Sequence, residues 1–85
     1  LKQTLWGQAH GRCWYCGVPL PLAASTVDHQ TPIALGGETT YANCVLACLP
    51  CNTAKARQPL AAYRAVCGGT LFYGERHGQS RASVP

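Results

Sequence analysis

A chain of 85 residues makes one domain, and at this length only about 60 to 65% of the unfolded surface is buried, so the core needs a staple. Six cysteines offer one; with no signal-peptide pattern and no apolar run long enough to cross a membrane, paired C-x-x-C turns favour a metal in a reducing compartment over disulfides. Seven Lys and Arg against three acids give a formal charge of +4, which suits a polyanionic partner such as nucleic acid and equally suits plain solubility, so charge alone decides little.

Residues 1–9 place Leu1, Leu5 and Trp6 at helical spacing, and His10-Gly11 closes that short helix with a left-handed stop. Trp6 reads as a core or lid residue. Residues 12–17, R-C-W-Y-C-G, read as a zinc knuckle, a tight turn whose amides point at the sulfurs, with Gly17 supplying a positive φ. Two prolines make residues 18–22 an extended connector. Residues 24–29 form the first strand of a hairpin, residues 31–40 a loop marked by Pro32 and Gly36-Gly37, and residues 41–47 the returning strand. Pro50 and Cys51 open a helix that runs to Gln58. Pro59 starts a second helical stretch, stopped by Gly68-Gly69, with Leu60, Tyr63 and Cys67 on one apolar face. Residues 71–73 add a last short strand, and residues 75–85 make a polar, flexible tail. The absence of any Met points to a piece of a longer protein or a processed product.

Two constellations carry chemistry. Cys13, Cys16, Cys48 and Cys51 form two C-x-x-C turns separated by 31 residues. A tetrahedral zinc needs four thiolates at about 2.3 Å, and each turn delivers two of them from one backbone loop. A redox pair would need a C-x-x-C at a helix start within a βαβ pattern, which is missing, so the reading is one structural Zn²⁺. Cys44 and Cys67 are left over in apolar contexts and read as buried free thiols.

The second constellation is a string: D-H-x-x-P from Asp28, then Gly36-Gly37, then N-x-V-x-A-C-x-x-C-N-x-x-K from Asn43 to Lys55. Taken singly, a His near a loop is more often a surface residue and an Asn a turn residue; their order is what makes the string specific. At these residues the chain resembles the HNH endonucleases, a family with the ββα-metal nuclease fold, over residues 12–58. Phosphodiester cleavage needs a base for the attacking water, which an imidazole supplies near neutrality, and a hard cation for the charge on the phosphate.

The resemblance implies His29 as general base, Asp28 as ligand of a catalytic divalent ion, and Asn43 as the central Asn that braces the hairpin and orients the base. Asn52 stands where the motif ends in a His ligand, giving an H-N-N form whose amide oxygen suits Mg²⁺ or Mn²⁺. Lys55 and Arg57 are read as phosphate contacts, with a solvated helix face weighed equally.

The expectation is therefore an α+β fold, a small ββα-metal (HNH) nuclease domain with zinc-ribbon knuckles and flanking helices, spanning residues 1–85. It is expected to act on DNA in the cytoplasm of a bacterium or phage-infected cell, leaving 5′-phosphate and 3′-hydroxyl ends, away from membranes. The rest of a larger protein or complex would supply targeting. The competing reading is a non-catalytic zinc-ribbon module that binds nucleic acid or protein; the Asp28-His29 pair separates the two, since a ribbon needs neither.

Overall fold

The computed structural model of the chain describes residues 1–78. Helix α1 (Lys2–Gln8) leads into an antiparallel hairpin of β1 (Ser25–His29) and β2 (Cys44–Cys48). Helix α2 (Leu49–Lys55) follows β2 without a break, and α3 (Leu60–Val66) and α4 (Tyr73–Arg76) complete the order. This is the expected α+β arrangement, a ββα unit with helices around it. The register pairs Ser25 with Cys48, Val27 with Leu46 and His29 with Cys44.

Every residue of β2 is buried, because both of its faces are covered. Alternate side chains of a strand point to opposite faces, so β2 divides the core into two clusters. Val45 and Ala47 pack with Trp14, Tyr15, Tyr63 and Phe72, beside Cys13 and Cys48. Cys44 and Leu46 pack with Leu5 and Ala9 of the α1 region. The first C-x-x-C segment is tied to this strand, since the Trp14 N–H donates to the Leu46 carbonyl at 2.8 Å.

Helix α1 ends as its sequence predicts. His10 and Gly11 take φ of 54° and 68°, and the Gly11 N–H donates to the Trp6 carbonyl. Trp6 is half-buried, and its indole N–H donates to the Leu20 carbonyl at 2.8 Å. In the knuckle, Gly17 has φ of 82° and donates to the Cys13 carbonyl at 2.9 Å. Its missing side chain also matters, because a Cβ there would lie 2.3 Å from the Tyr73 ring.

Several boundaries move from their expected places. β2 begins at Cys44 rather than Tyr41, because residues 41–43 form a turn closed by the Asn43 N–H to the Thr40 carbonyl. α2 stops at Lys55 rather than Gln58, where Ala56 leaves helical geometry with φ of 49°. The strand expected at 71–73 is absent. Phe72 instead caps α4, its N–H donating to the Glu75 carboxylate at 3.0 Å.

The tail expected from residue 75 therefore starts inside a helix, with Glu75 held by a two-pronged ion pair to Arg64 at 2.5 and 2.6 Å. Residues 79–85 of that expected tail lie outside the described residues. Cys44 is fully buried as expected, whereas Cys67 is exposed, because it caps the end of α3 beyond its last buried residue, Tyr63.

Candidate metal centre and active site

The four paired cysteines converge. Their Sγ atoms all lie within 4.8 Å of one another, and Cys16 and Cys48, from different turns, are 3.7 Å apart. Sulfurs at about 2.3 Å around a tetrahedral ion stand roughly 3.8 Å apart, so the set fits such an ion and leaves it no open position. Cys48 ends β2 and Cys51 lies in the first turn of α2, so the strand–helix junction presents one pair while the N-terminal knuckle presents the other. Burial, then the neighbouring sulfurs, push the Cys51 thiol up. Four sulfurs this close cannot share negative charge without a cation among them.

On the hairpin, Asp28 and His29 end β1. Asp28 is 3% exposed and has two partners: the Tyr15 hydroxyl donates to Oδ2, and Lys55 Nζ lies 3.4 Å from Oδ1. Burial raises the Asp28 pKa, while Tyr15, Lys55 and His29 act against that rise. Burial and the Asp28 charge also push Tyr15 up, so it stays protonated and remains a donor.

The half-buried His29 has Nε2 2.9 Å from the Thr39 hydroxyl. Asn43 braces the loop between the strands. Its Oδ1 accepts from the Thr31 N–H at 2.9 Å, and its Nδ2 donates to the Thr31 and Glu38 carbonyls at 3.0 and 2.9 Å. Asn52, one turn into α2, donates to the Thr26 hydroxyl at 2.9 Å, and that hydroxyl donates to the Ala47 carbonyl at 2.9 Å.

Asp28, His29, Asn52 and Arg57 line one open cleft of about 430 Å³, walled by Val27, Pro32, Ile33, Ala34 and Ala56. Asn43 is not in its lining; it acts on the loop that walls it. Arg57 is exposed at this cleft, where a phosphate contact is open to it.

Lys55 is different, and its expected phosphate contact is corrected: it is fully buried under the hairpin. There its ammonium donates to the His29 carbonyl at 2.8 Å and faces Asp28. A buried ammonium needs an anion and acceptors, and the end of β1 supplies both. Two participants went unread in the sequence. Tyr15 stands between zinc-type cysteines, where an aromatic reads as packing, and Thr39 sits in a run of loop residues. For Lys55, the available signal was the shortage of acids: three in the chain, one of them in the D-H pair.

A sequence model described as HNH endonuclease matches residues 13–58. Over 51 residues the chain is 41% identical to the CRISPR-associated endonuclease Cas9 of Corynebacterium diphtheriae, a match covering 59% of this chain and 5% of that protein. Among solved structures it superposes on the Type II-C Cas9 enzyme from Actinomyces naeslundii with a TM-score of 0.71 at 28% identity, over 79% of this chain and 7% of that one. The chain thus spans a small fraction of the relatives it matches.

Proposed function

Because the chain belongs to the HNH endonuclease family, we propose that it is the nuclease unit of a larger CRISPR-associated endonuclease and hydrolyses DNA phosphodiester bonds with a divalent cation. The observation that carries this reading is one cleft lined by Asp28, His29, Asn52 and Arg57, residues whose side chains carry a carboxylate, an imidazole, an amide and a guanidinium.

His29 takes the proton of the attacking water, with the Thr39 hydroxyl as the group that orients its ring. Asn43 holds the Thr31–Glu38 span in place, so that the cleft wall and the imidazole keep one geometry. Asp28 and Asn52 offer oxygen donors. Tyr15 and Lys55 take up only part of the Asp28 lone pairs, and Thr26 takes the Asn52 amide nitrogen, leaving its oxygen as the donor for a cation. Such a set suits Mg²⁺ or Mn²⁺, which when bound neutralises charge on the phosphate and the leaving oxygen. Arg57 holds the phosphate from the exposed side. The four cysteines hold a structural Zn²⁺ that takes no part in the chemistry.

The test is plasmid nicking by the zinc-loaded chain with Mg²⁺ or Mn²⁺, beside His29→Ala. The variant should lose about a hundredfold or more in rate, the usual scale for a positioned base, with zinc content unchanged. Cleavage by His29→Ala at the wild-type rate puts the base elsewhere. If neither protein cuts, the domain is a binding module.

A further inference from the structure

We propose that Tyr15 is a positioning residue for the cation site: its hydroxyl, carried inside the first C-x-x-C turn, holds the Asp28 carboxylate in the orientation that a divalent cation meets. The inference rests on the reading above in taking Asp28 as a ligand of that cation.

Tyr15 is 5% exposed and caged by rings. It meets Trp14, Tyr63 and Phe72 edge to face, at centroid distances of 5.2, 5.5 and 4.9 Å. Phe72 fills the same cluster without a hydroxyl, so packing alone gives no reason for an oxygen at Tyr15. A buried hydroxyl without a partner is costly, and the partner here is Oδ2 of Asp28.

The backbone around Tyr15 is fixed on both sides. Cys13 and Cys16 flank it within the knuckle, and its own carbonyl accepts from the Tyr73 N–H at 2.9 Å. Backbone and ring are both held, so the hydroxyl has one place to be. The other hold on Asp28 is looser, since Lys55 Nζ stands 3.4 Å from Oδ1 and spends its short bond on the His29 carbonyl at 2.8 Å. Tyr15 is therefore the group that sets the carboxylate's direction, and it links the four-cysteine centre to the cleft through one side chain.

Tyr15→Phe removes the oxygen and keeps the ring contacts. Tyr63→Phe removes a hydroxyl from the same cluster without touching Asp28. Zinc-loaded wild type and both variants would be titrated with Mn²⁺ and free Mn²⁺ followed by electron paramagnetic resonance, with zinc content and melting measured alongside. Partners that orient a metal ligand commonly account for ten- to a hundredfold in affinity, so Tyr15→Phe should bind Mn²⁺ about tenfold more weakly. Its zinc content should hold, and Tyr63→Phe should bind as wild type does.

In nicking assays Tyr15→Phe should need correspondingly more Mg²⁺ and regain rate at saturation. Unchanged Mn²⁺ affinity in Tyr15→Phe, or an equal loss in Tyr63→Phe, would overturn the role of Tyr15 alone. A wild-type chain that binds no Mn²⁺ would overturn it together with the ligand role of Asp28. A chain that binds Mn²⁺ with the expected Tyr15→Phe loss yet cuts no DNA would sink the nuclease reading and leave Tyr15 in place.

Discussion

Ala56 takes φ of 49° and ψ of −124°, where the β-carbon of an L-residue crowds its own backbone. Such a conformation costs about 1–3 kcal/mol, while a glycine there adds unfolded-state freedom worth about 0.5–1 kcal/mol. The strain wins, so Ala56→Gly should gain about 1 kcal/mol of stability and melt about 4–8 °C higher, read by thermal unfolding of the zinc-loaded chain. A lower melting point would mean the geometry is unstrained. The strained residue sits between Lys55, turned wholly inward, and Arg57, turned out at the cleft, and its sharp bend is what sends two neighbouring cations opposite ways. That reversal was illegible in the sequence. A helix extended to Gln58 puts both cations on its surface, and nothing in N-T-A-K-A-R marks an alanine about to take a glycine's conformation. Asp28 and His29 could be picked out as candidates because their order in the string is informative even though each residue alone is not, and the structure places both along one cleft.

At the scale of elements, the span between β1 and β2 is held by one side chain and one absence. Asn43 bonds both polar groups of the Thr31 backbone, and a Cβ on Gly37 would fall 1.8 Å from the Thr31 carbonyl oxygen and 2.9 Å from Asn43 Nδ2. The obstacle is backbone, which cannot swing aside, so Gly37→Ala must open the loop and release the Asn43 brace. The proposed catalytic geometry would then shift by an ångström or more, a displacement worth about a hundredfold in rate. The four thiols lie outside the loop, so nicking activity should fall on that scale while elemental analysis still finds zinc; an unimpaired Gly37→Ala would show that the brace is dispensable.

The double glycine was read as a loop signal, correctly, but its second member is required by close approach rather than by a positive φ, which local sequence does not display. The same limit explains residues 71–73. L-F-Y has strand propensity, yet the Glu75 carboxylate on the Phe72 N–H, the Arg64–Glu75 pair and the Tyr73 and Gly74 N–H bonds to the carbonyls of Tyr15 and Trp14 make the segment a helical plug against the knuckle.

For the whole molecule, the four-cysteine centre and the core are one structure. Cys13 and Cys48 belong to the same buried cluster as Trp14, Tyr15, Tyr63 and Phe72, and the two knuckles join the N-terminal third of the chain to the strand–helix junction. Free of metal, four sulfurs within 4.8 Å would sit in that core with their charge or their protons unmatched. A structural zinc contributes an apparent binding free energy of about 10–16 kcal/mol, whereas a domain's entire stability is about 5–15 kcal/mol. Losing such an ion would therefore remove as much as the fold possesses, leaving the two buried clusters of the described residues to hold the chain alone. Chelation at neutral pH should unfold the domain cooperatively, with loss of near-ultraviolet circular dichroism from the Trp14–Tyr15–Phe72 group, and added Zn²⁺ should restore it. Purified protein should hold about one zinc per chain. A metal-free chain that still melts cooperatively with its aromatic signal intact would show the core to be self-sufficient, and would separate the cysteine centre from both the fold and the orientation of Asp28.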